Sequence, residues 1–476
     1  MSLGHVCTRV RAILRGCQSI WAENVYAVND PICRELFLQQ AGDAPLALVV
    51  KTQLDNNDAL SRLPRARSIW TNQNDLTMTM LHPMPSPTKR SLLQHLTLDL
   101  DADFMEIWNS MYPEPTLPTI DFPSLHSLHL TNVNALFTCN NLSELIISDD
   151  INRPGMGYSS NEFLAVLRGC PRIQNLDLSY TLPFFSPLSS SNEIVKLDLL
   201  ERLTVKSFRK CSLSFWPCIS VPHTTEVEFK LDCRSTDSDD AYRGPDTFDD
   251  ARLFRAHLDG IPVKDVQLCL SGDVQGQLPV VLSLRMLDNG VHKHILTLGY
   301  FNYAHDVQTH DAVCRMRDAL RLAEVEKLIL SRITFSSAFS DDAASWRALL
   351  LLFPKVQSLG TDLQWFQKLC FALWWTGRVP SMDPENTSSQ SEDAVESPAL
   401  PGLRYLCIDY EGLKEHTKRR LFQVGEYLAQ MLNERAHRGL SLRTLKLDEL
   451  AGATVWEVQQ LRRQLLPLVP YLQLTY

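Results

Sequence analysis

The chain has 476 residues, 45% hydrophobic and 21% charged, with a formal net charge of −9. That balance suits a globular chain with a sizeable core, and the acidic charge argues against a global nucleic-acid or anionic-membrane role, which needs a basic face. The 12 cysteines are scattered singly with no C-x-x-C pair, a pattern of free thiols in cytoplasm or nucleus rather than of a disulfide framework.

At the N-terminus, Val6, Val10, Ile13 and Leu14 recur at helical spacing. Gly16 interrupts the pattern, and a second helix is expected to begin before Trp21. Arg9, Arg11 and Arg15 break the apolar core that a signal peptide would need. Apolar runs such as ALLLLF at 348–353 are far short of the roughly 20 residues of a membrane span.

The stretch VCTRVRAILRGCQSIW resembles the second half of the F-box motif as it occurs in the expanded families of mushroom-forming (basidiomycete) fungi. The family pattern is Val-Cys-x-x-Trp-Arg, a short spacer, then Leu-Trp. Val6, Cys7, Arg11, Ile20 and Trp21 match it, and Val10 stands in the position of the Trp. CRELFLQQAGDAPLALVV (33–50) resembles the continuation, a short helix and then a strand. The first half of the motif, a Leu-Pro-x-Glu helix, has no counterpart in the sequence. The resemblance implies a partial F-box-like helical region over 1–44, with the adaptor subunit of a cullin–RING (SCF-type) ubiquitin ligase as a partner. Without its first half, the same region implies an interaction scaffold with no ligase coupling.

From residue 45 onward one pattern recurs, apolar-x-x-apolar-x-apolar. PLALVV and SLLQHLTLDL open the series, separated by the Pro-rich loop HPMPSPTKRS (82–91). FPSLHSLHL, NNLSELIIS, PRIQNLDLSY and LLERLTVKS follow. TEVEFKLD, KDVQLCLSG and HILTLGY are degenerate copies; VEKLILSRI, FPKVQSLGT, PGLRYLCIDY, SLRTLKLDEL and PYLQLTY complete the series. Within each copy the last apolar positions alternate with polar ones, the period of a strand buried on one face. Between second apolar positions the steps are 17 residues from Leu128 to Leu145, 31 to Leu176 and 27 to Leu203. Several steps fall near the 20–29 residues of leucine-rich repeats, but others exceed that range: Leu359 to Leu406 is 47 residues and Leu406 to Leu445 is 39, so the array is irregular, with insertions.

Amphipathic helices are expected before several copies: NEFLAVLRGC, DAVCRMRDALRLA, DDAASWRALLLLFP, TVWEVQQLRRQLL, and the long run from Leu413 to Gly439. Helix then strand, repeated, predicts an α/β fold: an irregular leucine-rich-repeat-like solenoid over 45–476 with a parallel sheet on its concave face and helices outside. In PRIQNLDLSY, Ile173, Leu176 and Leu178 then serve stability. Asn175, Asp177 and Ser179 point to the other face and are the candidate contacts for a substrate protein.

Two acidic segments read as solvated insertions. DCRSTDSDDAYRGPDTFDD (232–250) holds seven Asp against two Arg, and 380–401 is Ser/Pro-rich with no Lys or Arg. No G-x-S-x-G, Walker A, G-x-G-x-x-G or H-E-x-x-H motif occurs. His292 and His294, with His305 and His310 nearby, lack the third ligand and spacing of a metal site. Trp374 and Trp375 read as helix core or as an interaction anchor. The sequence therefore points to protein binding, with no catalytic residue, metal ligand, cofactor, nucleic acid or membrane in the reading.

Overall fold

The computed structural model describes residues 16–28, 30–81, 92–101, 117–120, 122–149, 157–185, 194–233, 251–261, 263–270, 280–288, 291–301, 309–331, 343–362, 366–374, 398–409, 418–448, 450 and 453–475. The protein is α/β, with mostly parallel strands. The chain divides into two units, Met1–Thr225 and Glu226–Tyr476. That boundary falls inside the segment 45–476, which reads as one array in the sequence.

Unit 1 opens with helices α1 (Gln18–Asn24) and α2 (Pro31–Ala41). Asp30 caps α2 by accepting from the backbone N–H of Ile32 at 2.7 Å and Cys33 at 3.1 Å. Pro31 occupies the first helical position, where a missing N–H is harmless. The elements that follow are β1 (Leu46–Val50), α3 (Gln53–Arg62), β2 (Ala66–Thr71), α4 (Asn74–Leu81), β3 (His95–Asp99), β4 (Thr119–Ile120), β5 (Ser127–Thr131), β6 (Leu136–Phe137), β7 (Glu144–Ser148), α5 (Ser160–Arg168), β8 (Asn175–Ser179), β9 (Val195–Lys196), β10 (Arg202–Phe208), α6 (Arg209–Phe215) and β11 (Ile219–Ser220). The main strands run in the order β1-β2-β3-β5-β7-β8-β10, and every pair is parallel. β4–β6 and β9–β11 form small parallel pairs.

Unit 2 contains β12 (Glu226–Asp232), α7 (Arg255–Leu258), β13 (Asp265–Leu270), β14 (Val280–Asp288), β15 (Val291–Phe301), α8 (Thr309–Leu320), β16 (Lys327–Ser331), α9 (Ala343–Leu351), β17 (Ser358–Asp362), α10 (Phe366–Trp374), β18 (Tyr405–Asp409), α11 (Lys418–His437), β19 (Thr444–Asp448), α12 (Val455–Leu465) and β20 (Tyr471–Leu474). The order is β12-β15-β14-β13-β16-β17-β18-β19-β20. Among the described residues, only β14 runs antiparallel to both its neighbours, β13 and β15.

One backbone device recurs in both units and explains the sequence repeat. A turn closes just before many strands, from the N–H of Leu125 to Phe122 O, Leu142 to Cys139 O, Ile173 to Cys170 O, Val356 to Phe353 O and Leu403 to Leu400 O. Pro123, Pro171, Pro354 and Pro401 occupy the second turn position, where the fixed φ of proline suits the turn. The next two N–H groups then share one carbonyl of the preceding copy: Gln174 and Asn175 on Ser143 O, Gln357 and Ser358 on Glu326 O. Each copy is thereby locked to the one before it. The apolar residue that closes the turn enters the core, and the strand begins two residues later in fixed register.

The strands bury alternate residues. β8 buries Leu176 and Leu178 while Asn175 is exposed and Asp177 and Ser179 are half-buried. Such burial contributes about 1.5–3 kcal/mol for each leucine. Parallel sheets usually have both faces covered; this alternation leaves one face partly open.

A strand lies at every copy named from the sequence, while β2, β14 and the two-residue strands β4, β6, β9 and β11 lie outside that series. The edges of the acidic segments differ from the sequence reading. Asp232 ends β12 and is buried. Ala399 and Leu400 are buried, and the Arg435 guanidinium of α11 donates to their carbonyls at 3.2 and 3.0 Å. The remainder of both segments, 234–250 and 380–397, lies outside the described residues.

Candidate functional site

Strands β3, β5, β7, β8 and β10 carry the most developed polar face of unit 1. Register across them builds three rows. One runs His95, Ser127, Glu144, Asn175, Arg202; the second Thr97, His129, Ile146, Asp177, Thr204; the third Asp99, Thr131, Ser148, Ser179, Lys206. All three candidate residues of β8 therefore sit mid-row.

Neighbouring side chains on this face bind one another. The Ser127 hydroxyl donates to Glu144 Oε2 at 2.6 Å, and His129 Nε2 lies 3.1 Å from the same oxygen. Ser127 Oγ and His129 Nε2 are 3.2 Å apart. The Ser127 hydrogen bond, aided by His129, holds the Glu144 carboxyl below its usual range against the opposing effect of burial. In the third row the Ser148 hydroxyl donates to Thr131 Oγ1 at 3.2 Å. Lys206 Nζ lies 5.4 Å from the centre of the Tyr180 ring, which meets Phe208 edge-on at 5.8 Å.

The Ser127–His129–Glu144 group contains the residue types of a hydrolytic triad without its geometry. A relay needs the serine and the carboxylate on opposite ring nitrogens of the histidine. Here both contact His129 Nε2. The group presents hydrogen-bonding atoms on a half-exposed surface, which suits recognition. The group is not legible in the sequence, because Glu144 meets Ser127 and His129 only once β5 and β7 pair in register.

At the C-terminal ends of these strands, Asp149 follows β7. Its carboxyl accepts from Asn134 Nδ2 at 3.3 Å. Burial pushes it up to about 6, with the Asn134 hydrogen bond opposing. Asn134 is itself buried, and the Thr181 hydroxyl donates to its Oδ1 at 3.4 Å.

Of the F-box-like residues, Val6, Cys7 and Arg11 lie outside the described residues. Ile20 and Trp21 lie on α1. The Trp21 ring meets Phe37 of α2 edge-on at 4.9 Å, while Ile20, Ile32 and Leu36 are exposed. Ile32 and Leu36, with Pro31, Glu35 and Gln39, line an open depression of about 370 Å³ on α2. An exposed apolar patch of this kind suits a partner surface.

Other features singled out in the sequence fall as follows. His292 and His294 both lie in β15, His310 lies in the first turn of α8, and His305 lies outside the described residues. Among the described residues, no group of three or more His, Cys, Asp or Glu side chains is placed to hold a metal ion, and no helix is long and apolar enough to cross a membrane. Among the described residues, ten cysteines are free thiols. Trp374 is half-buried and stacks on Phe371 at 5.6 Å; Trp375 lies outside the described residues. No family model matches the chain, and no curated protein matches it.

Proposed function

We propose that the protein is a protein-recognition module, an irregular leucine-rich-repeat-like solenoid that acts as the substrate-recognition subunit of a cullin–RING (SCF-type) ubiquitin ligase in cytoplasm or nucleus. The observation that carries the recognition reading is the partly open strand face, where Asn175, Asp177 and Ser179 continue rows that are polar at every position but Ile146 across β3 to β10. Fixed register sets those groups at strand spacing, a preorganised template that loses little entropy on binding. In this reading the protein performs no covalent chemistry and holds no cofactor. It acts by proximity, bringing a substrate protein to the ligase's catalytic module.

The coupling reading rests on the F-box resemblance and is supported by the exposed Ile32 and Leu36, which line one depression on α2. A second reading, a scaffold with no ligase coupling, is favoured by Val10 in the Trp position of the motif. Co-precipitation of the full chain with the cullin adaptor subunit separates them. The ligase reading expects the adaptor to be recovered with the native chain and reduced at least about tenfold by Ile32→Asp, since apolar anchors dominate interfaces. No recovery with the native chain sinks the ligase reading and leaves the scaffold.

A further inference from the structure

The open strand face of unit 1 continues past β3 towards β1. Val49 of β1 and Trp70 of β2 stand in register with Thr97, in the row of His129. Ala47 and Ser68 likewise extend the row of His95. The first carboxylate in either row is Glu144 on β7, and Ser127 and His129 already hold it.

This end of the face is rich in unused donors. Trp70 is half-buried and His95 exposed. Among the described residues, neither the Trp70 indole N–H nor the His95 ring meets a hydrogen-bond partner. Arg67, exposed one residue before Ser68, donates from Nε to Gln94 Oε1 at 2.8 Å. Its two terminal nitrogens meet no acceptor among the described residues. The exposed His126 places Nδ1 2.7 Å from Ser124 O, which leaves its Nε2 available. Partial burial, the Arg67 charge and the His126 and His129 rings hold His95 below its usual range, with Glu144 opposing. An arginine and three imidazoles therefore share one neighbourhood.

We propose that the β1–β5 end of this face binds a short acidic segment of the partner protein, with Asp or Glu carboxylates on Arg67, His95 and His126 and an apolar side chain against Val49 and Trp70. The proposal rests on the recognition reading above and adds the partner's chemistry. Arginine and indole N–H groups donate only, so they select acceptors, and the surplus of positive groups selects charged ones. Tryptophan and arginine are also the side chains that most often anchor interfaces. Strands stand about 4.8 Å apart, so β1 to β5 spans about 14 Å, the reach of about four or five extended residues. Single-stranded nucleic acid stacks on tryptophan too, but it draws its affinity from many phosphate contacts. Among the residues gathered here, Arg67 alone is a permanent cation, which favours a protein segment.

Selection of random short peptides from a displayed library by the immobilised full chain tests the proposal. The enriched peptides are expected to carry Asp or Glu beside an apolar residue. Fluorescence anisotropy then measures one of them, labelled, against variants shown to be folded by circular dichroism. Arg67→Glu and Trp70→Ala are each expected to weaken binding at least about tenfold, while Lys206→Ala, on β10 at the other end of the face, leaves it unchanged. Enriched peptides without acidic residues, equal binding by the native chain and Arg67→Glu, an equal loss in Lys206→Ala, or an oligothymidylate bound as tightly as the peptide would each overturn the proposal. It also falls if no peptide is enriched. In every one of these cases a protein still captured through Asn175, Asp177 and Ser179 keeps the recognition reading standing.

Discussion

Phe163→Ala is expected to lower the stability of unit 1 by about 3–5 kcal/mol, the range for deleting a buried aromatic side chain. Phe163 is fully buried on α5. Its ring meets Tyr158 at 5.4 Å, Phe215 at 5.8 Å and Phe185 at 6.3 Å, all edge-on. These neighbours are poorly placed to fill the cavity. The Tyr158 hydroxyl donates to Ala135 O at 2.8 Å and accepts from Ala135 N–H at 3.0 Å, which pins its ring. α5 is held by a capping box between Ser159 and Glu162. Urea unfolding of the full chain measures the loss, with Asn175→Ala as a surface control expected within about 0.5 kcal/mol of the native chain. A Phe163→Ala loss under about 1 kcal/mol would contradict the packing described.

Asp149→Asn is expected to stabilise the protein near neutral pH. The folded Asp149 carboxyl is pushed up to about 6 from its ordinary 3.8, so the folded chain holds a proton that the unfolded chain has already released. Asp149 is therefore neutral towards folding near pH 4 and below. It opposes folding increasingly as pH rises through about 6, and the penalty is constant above that. An asparagine never ionises and retains an oxygen for the Asn134 amide. Asn134 is fixed in turn, since a Cβ on Gly157 would lie 2.2 Å from its Nδ2. The expected gain at pH 7.5 is about 1–3 kcal/mol, falling towards zero near pH 4. Denaturation midpoints of both proteins at the two pH values decide it; a variant equal to or weaker than the native chain at pH 7.5 would refute the account of this carboxyl.

The repeat was legible because one turn generates it. Cys170-Pro171 sets the turn, Ile173 closes it, and Leu176 and Leu178 follow at strand spacing. β2 escaped that pattern because Ala66, Ile69 and Thr71 fill its buried positions, so the leucine signature is missing although the chain path is the same. β14 escaped for a different reason. It is an antiparallel strand inserted between β13 and β15, and a series of helix–strand copies gives no cue for it. Asn289-Gly290 was the available signal, the dipeptide most typical of a hairpin, between Asp288 and Val291, which pair in register.

The polar face was legible one strand at a time. Alternation assigned Asn175, Asp177 and Ser179 to the face opposite Leu176 and Leu178. It gave no means of aligning Ser127 with Glu144, 17 residues on, which depends on the length of the intervening turn. His292 and His294 are close in sequence, whereas His129 meets Glu144 only through the pairing of β5 and β7. Likewise Asp232 looks solvated by composition, yet β12 carries it into the core.

The central claim is that the open strand face of unit 1 binds a protein partner. Quantitative affinity capture from the native cell extract tests it most directly, comparing the native chain with the Asn175→Ala, Asp177→Ala, Ser179→Ala triple variant and an Arg463→Ala control on α12. The account predicts at least one protein recovered by the native chain and the control and depleted at least about tenfold by the triple variant, the loss expected when central interface contacts are truncated. Identical recoveries from all three chains would contradict it.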